Sequence, residues 1–295
     1  MTKMTSAPLR TGGRFVTVDG ARLFVMEAGA GEPVLLLHGY PQSHLAWRHQ
    51  IPSLAGTHRI IAPDWFGWGR SERGLRHPAR YWEEVARIGS LLDTLGLGAV
   101  SIAGHDYGGF LSLGFALRHP ERVRRLAVLN SRAHRTFPQP AYLLFGVLAW
   151  AARRRTLRSL AARAPHYAIN RALMAGHVAR GAFDEAQRDR YIGWMRTRAG
   201  RRWLLHFMRY YEMPARADLA PHLGAIGCPA AMIWGDRDPY CPASIGVDLA
   251  RRLPVGDFVR VAGADHFVME ERPDEVTAAL RALLARPAAA PAEAG

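Results

Sequence analysis

The chain has 295 residues, is 49% hydrophobic and carries a formal charge of +14, which suits one large α/β domain or two small ones with an ample core. Its two cysteines, Cys228 and Cys241, exclude a disulfide framework and read as reduced, partly buried thiols. The first thirteen residues lack the apolar stretch of a signal peptide, and the longest apolar run, 141–152, is too short to span a bilayer. A cytoplasmic protein without a membrane partner is expected.

In chain order, β-rich runs alternate with amphipathic stretches. Strands are predicted at 14–18, 22–29, 33–39, 59–64, 99–106, 123–131, 229–236 and 257–266. The first two form an antiparallel pair. Several of the others are continuous apolar runs, as parallel strands covered on both faces require. Helical patterns fall near 43–53, 82–95, 108–118, 243–252 and 273–285. The fold class is therefore α/β: a mostly parallel eight-stranded sheet with helices on both faces. The alternation breaks between about 133 and 217, where the chain is helix-prone and rich in Arg. That segment reads as an inserted helical cap, 133–216, with 1–132 and 217–295 forming the core. The tail from 285 is rich in Ala and Pro and is expected to fray.

The charge is concentrated in the cap. From Arg132 to Arg216 there are seventeen Arg against four acidic residues, Asp184, Glu185, Asp189 and Glu212. These arginines are scattered at helical spacings and not clustered with aromatics or Gly, so a solvated basic surface is expected and a nucleic-acid partner is not. No His/Cys cluster with metal-ligand spacing and no phosphate-binding Gly-rich loop is evident, so no metal or cofactor is expected.

Four motifs fall at carboxyl ends of strands, where such sheets bind ligands. They are "HGYP" (38–41), "GHDYGG" (104–109), "WGDRDPY" (234–240) and "GADHF" (263–267). The second has the G-x-Nu-x-G layout of a nucleophile elbow, with Asp106 at the reactive position. A carboxylate is already ionised at neutral pH and can displace a leaving group at an sp³ carbon, forming an alkyl-enzyme ester. It suits ester or amide cleavage poorly, because attack on a carbonyl would give a labile anhydride.

The order nucleophile, acid, His is that of the α/β-hydrolase fold, and from about residue 14 to 285 the sequence resembles that superfamily. Asp at the elbow resembles its branch of epoxide hydrolases, haloalkane dehalogenases and haloacetate dehalogenases. The resemblance implies His266 as the base that activates water against the ester. The pattern W-G-x-x-D points to Asp238, rather than Asp236, as the acid that orients His266. In some relatives the acid follows the sixth strand, but Asn130 and Ser131 stand there and cannot carry the charge. Where related sequences often carry Gly before the His, this chain has Asp265. The backbone N–H groups of Tyr40 and Tyr107 are the expected oxyanion hole. His38, His105 and Asp64 are expected to be structural.

The branches differ in what receives the leaving group. A halide needs only hydrogen-bond donors, whereas an epoxide oxygen needs a proton, which a Tyr phenol supplies and an indole does not. Haloalkane dehalogenases typically use Trp beside the nucleophile, with Asn in the HG-x-P loop or a second Trp in the cap; Tyr107 and Tyr40 occupy the two fixed positions here. Haloacetate dehalogenases carry Arg after the nucleophile, and this chain does not. "HGYPQS" resembles epoxide hydrolases and haloacetate dehalogenases, while "DWFGWGRSE" resembles the haloalkane branch. By resemblance, cap donors are expected at Trp150 and at Tyr211 or Tyr210, of which only one should face Asp106, because adjacent helical residues point ~100° apart. Trp65, Phe66, Trp68, Phe137 and Trp150 are expected as apolar walls around a small lipophilic substrate. The sequence thus points to an epoxide hydrolase acting as a monomer or homodimer. The alternatives are a haloalkane or haloacid dehalogenase and, outside catalysis, a silent ligand-binding protein of the same fold.

Overall fold

The computed structural model describes residues 10–133, 140–212 and 218–288. Eight strands, β1 (Arg10–Val18), β2 (Ala21–Gly29), β3 (Glu32–Leu37), β4 (His58–Pro63), β5 (Val100–His105), β6 (Val123–Leu129), β7 (Ala230–Gly235) and β8 (Gly256–Val261), form one sheet. Their spatial order is β1-β2-β4-β3-β5-β6-β7-β8. The β1–β2 and β2–β4 pairs are antiparallel, and the remaining five are parallel. The apolar runs behave as parallel strands should: β5 and β7 are buried along their whole length.

Six helices accompany the sheet: α1 (Gln50–Leu54), α2 (Tyr81–Thr94), α3 (Tyr107–Arg118), α10 (Ala243–Arg252), α11 (Val268–Glu271) and α12 (Pro273–Leu284). Between β6 and β7 come α4 (Pro140–Arg153), α5 (Arg155–Ala161), α6 (His166–Leu173), α7 (Ala175–Ala179), α8 (Glu185–Ile192) and α9 (Arg198–Tyr210). No strand interrupts this insertion among the described residues, and α4 packs on α9.

Two predicted elements differ. The single helix at 43–53 is a 3₁₀ turn, His44–Trp47, followed by the short α1. The last strand ends at Val261, because Gly263 turns the backbone with φ +72°, so His266 sits on a loop rather than on the strand. The expectation for the tail lies largely outside the described residues.

Candidate active site

Asp106 occupies the turn between β5 and α3 with φ 47° and ψ −114°. A non-Gly residue in that region costs about 1–3 kcal/mol, so neighbours must impose it. They do so through the backbone: Asp106 N–H donates to the Leu129 carbonyl at 3.1 Å, and its own carbonyl accepts from Ser131 Oγ at 2.6 Å. The turn fits because the glycines around it lack side chains. A Cβ on Gly108 would lie 2.3 Å from the Leu37 carbonyl oxygen, and one on Gly39 would lie 2.5 Å from the Asp106 Cβ.

The carboxylate is polarised by this geometry. Tyr40 N–H donates to Asp106 Oδ2 at 3.0 Å, and the Tyr107 N–H also hydrogen-bonds the carboxylate. Both expected oxyanion donors therefore converge on it. Burial pushes the Asp106 pKa above the ordinary carboxylate range, while His266, the two N–H groups and the Arg132 guanidinium pull the other way.

His266 Nδ1 donates to Asp238 Oδ2 at 2.8 Å. Asp238 is saturated: Oδ1 accepts from the N–H groups of Tyr240 (2.6 Å) and Cys241 (2.9 Å), and Oδ2 also accepts from Asn130 Nδ2 (2.7 Å). Burial alone would lower the His266 pKa, but the Asp238 charge and hydrogen bond, helped by Asp106, hold it well above the ordinary value. Asp236, the other acid of the motif, accepts from the Gly263 N–H at 2.8 Å and closes the turn. Asn130 carries no charge, yet it holds Asp238 in place and accepts from Gly235 N–H at 3.0 Å.

Asp106, His266, Tyr40, Tyr107 and Tyr211 line one cavity of about 70 Å³. Tyr211 reaches it because the chain leaves helical geometry there: Tyr211 is the C-cap of α9, with ψ 111°. Tyr210 instead packs against His206 with the Arg80 guanidinium near its ring, and lines a separate groove. Burial and the nearby Asp106 charge push the Tyr211 pKa far above the usual tyrosine value, which keeps the phenol protonated.

Trp150 is not brought to the site. It is 50% exposed, with the Arg154 guanidinium 4.1 Å from its ring centroid. Phe145 lines the cavity from the same helix; five residues on, Trp150 points about 140° away. The expected aromatic walls are also corrected. Trp65, Phe66 and Trp68 lie behind the site, with Trp68 packed on the rings of Tyr40 and Phe207 at 5.5 and 5.0 Å. Phe137 lies outside the described residues. The apolar lining comes instead from Phe145, Leu173, Met174, Phe207, Met208 and Phe267.

The motifs do not reveal several polar residues around the cavity. Tyr40 Oη donates to Asn170 Oδ1 at 2.7 Å, and His177 joins the lining from α7. The buried Arg132 donates to the Tyr240 carbonyl at 3.1 Å, close enough to influence Asp106. None of the three lies in a spacing pattern, so no sequence signal marks them. Asp265 turns its carboxylate to α7, where it pairs with Arg180 and lies 3.3 Å from His177 Nδ1. The fold also brings Asp238, Cys241 and His266 within 4.8 Å of one another, a grouping the linear spacing does not show. All three are engaged by protein donors or acceptors, Cys241 Sγ by Arg132 Nη2 at 3.3 Å.

His38, His105 and Asp64 make structural contacts. His38 Nε2 accepts from Trp65 N–H at 3.0 Å; His105 Nε2 lies 2.8 Å from the His266 carbonyl oxygen; Asp64 accepts from the N–H groups of His44 (2.8 Å) and Arg70 (2.7 Å).

The sequence pattern of the alpha/beta hydrolase fold matches residues 32–273. The chain belongs to the α/β-hydrolase fold family. This hydrolase is 32% identical over 313 residues to epoxide hydrolase A of Mycobacterium tuberculosis, covering 90% of this chain and 95% of the relative. It is 30% identical over 276 residues to haloalkane dehalogenase 2 of Mycobacterium bovis, covering 90% and 93%. It is 27% identical over 277 residues to a cis-3-alkyl-4-alkyloxetan-2-one decarboxylase of Shewanella oneidensis, covering 89% and 85%. The hydrolase also shares its fold with an inhibitor-bound Bacillus megaterium epoxide hydrolase, at a TM-score of 0.75 and 22% identity over 92% of this chain and 100% of that one.

Proposed function

We propose that this hydrolase opens lipophilic epoxides to vicinal diols through a covalent ester on Asp106. The observation that carries the reading is the Tyr211 phenol on the cavity that holds Asp106, with no indole among the described lining residues. Asp106 Oδ2 is held by the Tyr40 N–H, which leaves Oδ1 to attack the epoxide carbon. The C–O bond breaks, and Tyr211 gives its proton to the departing oxygen, yielding a hydroxyalkyl ester. Water then attacks the ester carbonyl carbon while His266 Nε2 takes its proton. The oxyanion forms where the Tyr40 and Tyr107 N–H groups already point. Collapse breaks the bond between the carbonyl carbon and the alkyl oxygen. The imidazolium returns its proton to the diol oxygen, and the proton left on the Asp106 carboxyl passes through solvent to the Tyr211 phenolate, which restores both groups.

The charges follow this sequence. In the free enzyme Asp106 helps to keep His266 protonated. Esterification removes that negative charge, so the His266 pKa falls and the imidazolium releases its Nε2 proton to solvent when the base is needed, regaining it once Asp106 is ionised again. The segment 133–216 acts as the cap that supplies Tyr211 and the apolar wall. No metal or cofactor enters any step.

A dehalogenase is the second reading, favoured by the relative of that name at 30% identity. The same Asp106 would displace halide, and the phenols would cradle it. The test is a paired assay of wild type and Asp106→Ala on terminal aryl and alkyl epoxides, bromo- and chloroalkanes and a cis-3,4-dialkyloxetan-2-one. Diol formed by wild type and lost in the variant supports the epoxide reading. Halide release without diol, or decarboxylation of the oxetanone alone, overturns it.

A further inference from the structure

The helical insertion carries a second concavity, of about 830 Å³, within the size range of ligand sites. Arg155, Arg158 and Arg163 line it from α5 and the turn that follows; Arg198, Arg201, Arg202 and Arg209 line it from α9. No carboxylate lines it, and among the described residues none of the seven forms an ion pair. We propose that this groove binds a small molecule bearing several phosphate groups.

Three observations support the assignment. First, the arrangement is costly without a counter-ion. Neither α5 nor α9 has an acidic residue in its first turn, and Arg198 and Arg201 place like charges at the positive end of the α9 dipole. A phosphate relieves both the repulsion and the dipole. Second, the guanidinium groups are partly pre-positioned. Arg201 donates through Nε to the Ala162 carbonyl at 3.0 Å and through Nη1 to the Arg196 carbonyl at 2.6 Å, and Arg158 donates to the Ala152 carbonyl at 3.3 Å. Third, the groove has a positive potential that its own histidine registers. Burial, and then the charges of Arg209 and Arg158, lower the His206 pKa, so its ring stays neutral at neutral pH.

Planar guanidinium forks match phosphate oxygens bidentately, and seven of them exceed what a single monoanion neutralises. Leu75, Ala162 and Leu205 give the groove a short apolar floor for an organic portion. The site is separate from the catalytic cavity, and α9 is the wall between them: Leu205 and Arg209 line the groove, while Phe207 and Met208 line the cavity.

A lipid headgroup offers the same chemistry as a free phosphate ester, so the experiment has two arms. Calorimetric titration of the full-length protein with sodium triphosphate, against sodium sulfate and chloride at matched ionic strength, tests the soluble source. Co-sedimentation with cardiolipin vesicles, whose headgroup carries two phosphates, against phosphatidylcholine vesicles, tests the lipid. The variant is Arg155→Ala/Arg198→Ala/Arg202→Ala; the control, Arg251→Ala/Arg260→Ala, removes exposed charge from the core. Circular dichroism of each checks that it is folded. Expected is saturable binding in one arm, unchanged in the control and at least roughly tenfold weaker in the groove variant. Triphosphate binding assigns a soluble ligand; vesicle binding alone, lost in the groove variant, assigns a headgroup. Equal behaviour of wild type and groove variant in both arms, or triphosphate binding no tighter than sulfate without vesicle binding, overturns the proposal.

Discussion

Replacing His266 with Gln separates the two chemical steps. Attack by Asp106 on an alkylating substrate needs no base, and the N–H groups of Tyr40 and Tyr107 remain in place at its carboxylate. In the proposed mechanism ester hydrolysis does need one, and that base is His266, which lines the cavity and is fixed by the 2.8 Å bond to Asp238. Loss of a general base slows its step by about 10²–10⁴-fold. If the wild type turns over at a typical ~10 s⁻¹, a ~10³-fold loss leaves an ester lifetime of about 100 s. That is long enough to accumulate adduct in a manual quench. The assay is intact-protein mass spectrometry after mixing the variant with an epoxide that the wild type converts. The expected product is protein plus the whole mass of the epoxide, since ring opening loses no atom; halide displacement would leave the halogen behind. Trypsin places Asp106 in the peptide 88–118, whose only other acid is Asp93. An inactive, folded His266→Gln variant that never carries an adduct refutes the covalent scheme.

Three further outcomes follow from the same geometry. Tyr211→Phe should lower epoxide turnover about 10²–10⁴-fold while Trp150→Phe leaves it near wild type; comparable losses in both would return Trp150 to the site. The alkylation rate of His266→Gln, read by quenched mass spectrometry across pH, should rise as Asp106 ionises. Burial places that ionisation above the ordinary carboxylate range, and loss of the His266 charge, which favours the carboxylate, moves it higher still. Tyr211 is held protonated, so the rate should stay level through about pH 10, and a fall there would remove Tyr211 as the proton source. Asn130→Ala leaves the Gly235 N–H without its acceptor and Asp238 without one of its four donors, so it should cost about 1–3 kcal/mol in denaturant unfolding. It should also slow ester hydrolysis but not alkylation; equal slowing of both steps would make Asn130 a matter of stability alone.

What is legible in the sequence lies at strand ends. Asp106, Asp238 and His266 are readable because each follows a strand whose apolar run sets its register, and because the elbow tolerates few residues at positions 39 and 108. His266 reaches Asp238 even though β8 stops at Val261, since the loop that carries it is closed by Asp236. The helical insertion offers no such anchor. Trp150 and Phe145 lie on one helix whose apolar residues cover more than one face, and composition does not say which face meets the core. Helical spacing cannot choose between Tyr210 and Tyr211, because α9 ends between them and a C-cap residue is not bound by that spacing.

This division has a chemical consequence. In the proposed mechanism Asp106, His266 and Asp238 form and cleave an ester whatever electrophile supplied the alkyl group, so the motifs that announce them do not distinguish an epoxide from a halide. The distinction rests on one proton, held by a residue just past the end of α9. Burial acts on both the acid and the nucleophile. It keeps Tyr211 protonated, and it raises the Asp106 pKa against the opposing pull of His266 and Arg132. A nucleophile held in this way is less solvated than a surface carboxylate, and the Tyr40 N–H on Oδ2 favours attack by its other oxygen. On the proposed mechanism the core thus sets how the ester is made and broken, while the insertion sets which molecules can make it.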